Sequence, residues 1–176
     1  MAELLLHYII PLATLTLLGV HFKKAALAST AAIAPDLDVL LHVHRSCTHS
    51  IPLMLAIAMP AILITKKLNK PTATSYAIAA TIAALTHPLL DVFDSHTPIL
   101  WPLSPYSIHV IAEVKTTISS IPTITTTLQL SLTQTSFTPF TTMFDAPIAT
   151  SAGIIISLIL LAAIAIKNAR RQSDIG

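Results

Sequence analysis

Two windows of the sequence concentrate side chains able to hold a cation and to activate water. The first runs from Pro35-Asp36-Leu37-Asp38 through His42, His44, Arg45, Cys47, Thr48, His49 and Ser50; the second is Thr86-His87-Pro88 followed by Asp91, Asp94 and His96. Together they hold four of the eight acidic residues and five of the eight histidines, in a chain that is otherwise apolar. His87 and Asp91 are four apart and therefore share one face of a helix, and Asp38 and His42 have the same spacing. Imidazole with carboxylate suits zinc, manganese or iron, and several aspartates together allow a carboxylate to bridge two ions. A lone histidine in an apolar run is more often a hydrogen-bonded structural group, which applies to His7 or His42 taken singly. The set Asp36, Asp38, His49, His87 and Asp91 points instead to ligation, because buried carboxylates without a partner are costly.

These groups need elements to position them. The chain has 176 residues, 53% hydrophobic and 10% charged, with a mean hydropathy of +0.76. It has too few polar side chains to cover a water-soluble globule, so a single integral membrane domain over 1–176 is expected. Apolar runs cover 4–20, 25–41, 51–65, 73–93 and 147–166, each near the length of a membrane-spanning helix. This predicts an all-α bundle of about five transmembrane spans. Basic clusters follow at Lys23-Lys24, Lys66 to Lys70 and Lys167 to Arg171. Placing all three on the cytoplasmic side makes the protein multi-pass, with its N-terminus outside and its C-terminus inside. His7, Asp36, Asp38, His42, His44, His49, His87 and Asp91 then all fall toward the outer face. At about 1.5 Å per residue, Asp36 and His87 lie roughly 18 and 21 Å beyond the inner ends of their runs.

The first apolar run lacks a basic leader and contains His7, so no cleavable signal peptide is expected. A net charge of +2, with basic residues in short clusters, argues against a nucleic-acid partner, and a single cysteine excludes an internal disulfide. The stretch 97–146 reads as an external loop. Its second half, 116–146, is rich in Thr and Ser, and the alternation of Leu128, Leu130 and Leu132 predicts a short strand or hairpin. Arg45 can grip an anionic phosphate or carboxylate, or neutralise an aspartate. Thr48 and Ser50 are expected to cap the following helix, with Pro52 in its first turn, and Cys47 to be a small buried residue. His21 and His96 read as surface residues, and His109 with Glu113 as a minor second pair. Trp101 and Tyr106 fit an interfacial aromatic anchor.

The order Pro35-Asp36-x-Asp38, His44-Arg45-x-x-Thr48-His49-Ser50 and His87-x-x-x-Asp91, followed by Trp101-Pro102-Leu103-Ser104, resembles the YdjM-like family of membrane-bound, metal-dependent hydrolases. The resemblance covers about residues 1–110. Ser46 stands where glycine is common in that pattern, and Leu103 where phenylalanine is common. It implies a metal centre, distantly similar to the zinc-dependent phospholipase C and P1 nuclease class, with His7, Asp36, Asp38, His49, His87 and Asp91 as ligands. By the same resemblance His44 and Arg45 would be supporting or substrate groups; independently of it, an aspartate not fully engaged as a ligand, Asp38 or Asp94, is expected to serve as general base. The expected cofactor is one to three divalent ions, zinc first and manganese or iron next. The expected function is hydrolysis, by metal-activated water, of an ester or phosphoester carried by a lipid or lipid-linked substrate of the membrane. An ion or metal transporter with an acidic-histidine cation path is the alternative.

Overall fold

A computed structural model describes residues 3–43, 45–118, 123–140 and 147–173. Among these, five α-helices, two 3-10 segments and one antiparallel strand pair follow in the order α1 (Leu4–Leu17), α2 (Phe22–Ser29), 3-10 (Thr30–Leu41), 3-10 (Cys47–His49), α3 (Ile51–Lys67), α4 (Pro71–Asp91), β1 (Tyr106–Thr117), β2 (Thr123–Gln134) and α5 (Ser151–Ser173).

The architecture corrects the expected five-span bundle. Two helices, α4 and α5, are long and apolar enough to cross a bilayer. The 14 residues of α1 reach only about 21 Å, short of a hydrocarbon core of about 30 Å. Its end is set by Gly19, which adopts φ +95°. Val20 N bonds Leu15 O and Gly19 N bonds Thr16 O, the paired closure of a helix whose next residue turns left-handed. The run 25–41 is broken in two. Ser29 Oγ and Thr30 Oγ1 bond back to Ala25 O and Leu27 O, and Pro35 has no N–H to give the preceding turn. From Thr30 the chain therefore winds as a 3-10 segment. Asn69, at φ 52°, ends α3 as Gly19 ends α1, and Pro71 opens α4.

The core is built from small side chains. Ala25, Ala28 and Ala32 meet Ala79 and Ala83 of α4 and Ile9, Leu12 and Leu15 of α1, with Ile164 of α5 against the same cluster. No residue of α3 is buried. Large apolar side chains such as Ile57, Leu63, Ile155 and Ile159 face outward instead. The loop expectation is met only in part. The strands are 12 residues each and begin at Tyr106, before the Thr-rich half, with Ile108, Val110 and Ala112 opposite Leu132, Leu130 and Leu128. Val110 N bonds Val92 O at 2.8 Å, which fastens the hairpin base to the end of α4. The lysine-rich turns gather at the other end, where Lys167 Nζ bonds Thr16 O and Leu17 O, and Lys24 Nζ bonds Ser75 Oγ.

Candidate metal centre

Four segments deliver the site. The last turn of α4 carries His87 and Asp91, with Nε2 of the first 3.6 Å from Oδ2 of the second, as expected for positions four apart. The two 3-10 segments bring Asp36 and His49, and the first turns of α1 bring His7. His49 Nε2 lies 3.0 Å from His87 Nε2, and both nitrogens lie near Asp36 Oδ1, at 3.5 and 3.3 Å. Asp91 Oδ2 is 3.3 Å from His49 Nε2. One donor atom from each of Asp36, His49, His87 and Asp91 falls within 4.8 Å of every other, and all four residues are buried.

His7 stands beside this group. Its ring stacks on His87 with centroids 4.0 Å apart, and its Nε2 is 3.3 Å from Asp91 Oδ1. Asp38 lies on the far side of His49, with Oδ2 3.4 Å from Nδ1. Three residues per turn explains the division, since Asp36 and Asp38 then diverge by about 120° and bracket His49 through different ring nitrogens. Oδ2 of Asp38 also accepts from Ser46 N at 2.8 Å and from Thr48 Oγ1 at 3.0 Å. Arg45 closes the mouth, its Nε 3.2 Å from Asp91 Oδ2 and its Nη2 2.5 Å from Asp94 Oδ2. It is thus engaged as a neutralising partner, in a left-handed conformation at φ 55°. His44 lies outside the described residues.

Several neighbours have other places. His42 packs edge-on against Phe140, away from the cluster. His96 is held by Ser131 Oγ at 3.0 Å and meets His109 edge-on, so it is not a bare surface residue. His109 and Glu113 sit in β1, where four residues span about 13 Å, and the pairing expected of a helix does not arise. Cys47 is half-buried. Ser50 caps α3 by accepting from Leu53 N, whereas Thr48 turns to Pro35 O, Asp38 and His49. Trp101 meets Phe137 edge-on. The carbonyl of Ala32, 2.7 Å from His87 Nδ1, left no trace in the sequence, because any residue supplies a carbonyl.

The donor set fits a divalent transition metal. With Nδ1–H of His87 donated to Ala32 O, its Nε2 lone pair is turned into the site. His7 Nδ1 is buried without a hydrogen bond among the described residues, and His7 Nε2 and Asp91 Oδ1, also buried, have only each other at 3.3 Å. Arg45 pairs with Asp91 and Asp94, and a cation held among Asp36, His49, His87 and Asp91 would offset the cost of burying carboxylates there. In the metal-free protein protons serve instead. Burial alone would lower the basicity of His49, but hydrogen bonds to Asp36, Asp38 and Asp91 outweigh it and push the imidazole up to about 10. Burial alone would raise the carboxyl of Asp36, yet hydrogen bonds from His49 and His87 hold it well below the usual carboxylate range.

A match to the YdjM inner membrane protein family extends over residues 3–171. The chain belongs to that family. Comparison with curated proteins and with solved structures gave no match. Family membership and the two apolar spans make this a bilayer-associated protein, and the His/Asp cluster is the family member's buried candidate site for a metal ion.

Proposed function

We propose that the chain is a membrane-embedded, metal-dependent hydrolase that cleaves an ester, by preference a phosphoester, carried by a lipid. The observation that carries this reading is the convergence of His49, His87, Asp36 and Asp91 at the end of a membrane helix. Asp36, His49, His87 and Asp91 would hold the ion, with His7 beside Asp91. Zinc suits these nitrogen and oxygen donors best, and manganese or iron is also compatible. When bound, the ion supplies a Lewis acid for a phosphoryl or acyl oxygen and a water of lowered pKa.

The chain's own residues divide the remaining work. Asp38, fully enclosed, orients His49 through Nδ1 together with Thr48. Asp94 has a side chain 32% exposed at the mouth, where a carboxylate can take up a proton and release it to solvent. Arg45, between Asp91 and Asp94, offers a planar cation to an incoming phosphoryl group. With the lysine-rich turns toward the cytoplasm, the site faces the outer leaflet.

The test is hydrolysis by purified, metal-loaded protein of a phospholipid, an isoprenoid phosphate and a simple ester. Release of product by the parent protein, lost in Asp91→Ala, is expected. Cation flux in proteoliposomes without cleavage of any of these esters would replace the hydrolase with a transporter.

A further inference from the structure

α3, α4 and the first 3-10 segment enclose a lateral cleft of about 360 Å³. Its walls include Ala58 and Ala61 of α3 and Ala80 and Ala84 of α4, and one end is bounded by Pro35 and Thr48. These last two immediately precede Asp36 and His49 in the chain. The cleft offers little to a polar occupant: its lining is mostly alanine and other apolar side chains, the Thr48 hydroxyl is shared between Pro35 O and Asp38 Oδ2, and the Thr81 hydroxyl donates to Ala77 O. Ala80 and Ala84 lie roughly 14 and 20 Å along α4 from Pro71, at hydrocarbon depth for a helix of this length. Methyl-sized walls leave a trough in which dispersion contacts are lost unless something apolar fills it.

We infer that this cleft is the tail subsite of the enzyme: it takes one hydrocarbon chain of a membrane lipid, laid between α3 and α4, so that the lipid's ester head reaches the His/Asp cluster. The assignment rests on the hydrolase reading only for calling that lipid the substrate. Continuity carries the assignment, because the same Thr48 closes the apolar trough and touches Asp38 and His49. Entry is sideways from the bilayer, past a helix that has no buried residue of its own.

Photo-crosslinking tests this without turnover. Chelator-stripped full-length protein in nanodiscs is irradiated with a phosphatidylglycerol bearing a diazirine on a long acyl chain, and labelled peptides are mapped by mass spectrometry. Preferential labelling of α3 around Met54 to Ala61 over the outward face of α5 at Ile155 and Ile159 is expected. Ala58→Leu and, separately, Ala61→Leu should reduce α3 labelling severalfold and leave α5 labelling as it was; both positions are unburied, and elution of a monodisperse species checks the fold. Equal labelling of α3 and α5, or labelling indifferent to both leucines, overturns the subsite. In a hydrolysing preparation the leucines should raise KM for a long-chain phospholipid severalfold more than for a short-chain one, and an equal effect on both also overturns it. Selective α3 labelling with no ester hydrolysis would discard the hydrolase and keep the lipid cleft, whereas hydrolysis with uniform labelling would do the reverse.

Discussion

His49 is held from both sides, by Asp38 and Thr48 at Nδ1 and by Asp36, Asp91 and His87 at Nε2. The sign of its titration follows. In the metal-free protein its folded value, about 10, exceeds the ordinary 6.5, so it stabilises the fold fully below 6.5 and ceases to as pH rises through 10. Asp36 runs the other way: its folded value lies below the ordinary 3.8, so its contribution is present above that and is lost on acidification. An incoming ion must displace the His49 proton. Apparent metal affinity should therefore climb by about tenfold per pH unit through the neutral range, as read by chelator competition, and a flat profile would refute the protonated imidazole. Thr48→Val and Asp38→Asn each weaken the support of His49 Nδ1, the first also losing the bond to Pro35 O and the second weakening the acceptor of Ser46 N and Thr48 Oγ1. Each should weaken metal binding by about 10–100-fold in the same titration, and His96→Ala should not.

At the scale of elements, α5 is clamped to α1 at both ends. Glu3, which is buried, receives Thr150 N, and Leu5 N bonds Ile148 O at 3.0 Å; at the far end Lys167 caps the last carbonyls of α1. Gly153 faces Glu3 so closely that a Cβ there would overlap its carboxylate. Gly153→Ala should force the Glu3 carboxylate off Thr150 N, and the loss of that buried bond, partly offset by the better helix propensity of alanine, should destabilise the protein by about 1 kcal/mol or less, seen as a lower midpoint in a detergent melt. An unchanged midpoint would mean that Glu3 can swing clear. Much of this scale was not legible beforehand. Apolar content marks 25–41 as one span, but Ser29, Thr30 and Pro35 divide it, and only the resulting 3-10 winding separates the roles of Asp36 and Asp38. The alternating leucines of 128–132 revealed a strand, yet its partner begins at Tyr106 because Ile108, Val110 and Ala112 alternate too.

For the whole molecule, charge is segregated: eight of the ten basic residues, all but Arg45 and Lys115, lie in the three clusters at 23–24, 66–70 and 167–171. Contacts of Lys24 with Ser75 and of Lys167 with the end of α1 bring those clusters to one end, opposite the His/Asp group. That separation was readable from the spacing of lysines and acids even though the number of spans was not, since depth along a helix depends on residue count and span number on unbroken length. In a Cys47→Ser background, Leu103→Cys should react with an impermeant maleimide added outside intact cells, and Lys67→Cys should not. The reverse pattern would invert the proposed orientation. Elemental analysis of the purified protein after metal reconstitution asks whether the His/Asp cluster holds an ion. One or more divalent transition-metal ions per chain are expected, retained in His96→Ala and lost in His87→Ala and Asp91→Ala. No metal above background in the parent protein, or a content that these last two substitutions leave unchanged, would contradict a metal centre there.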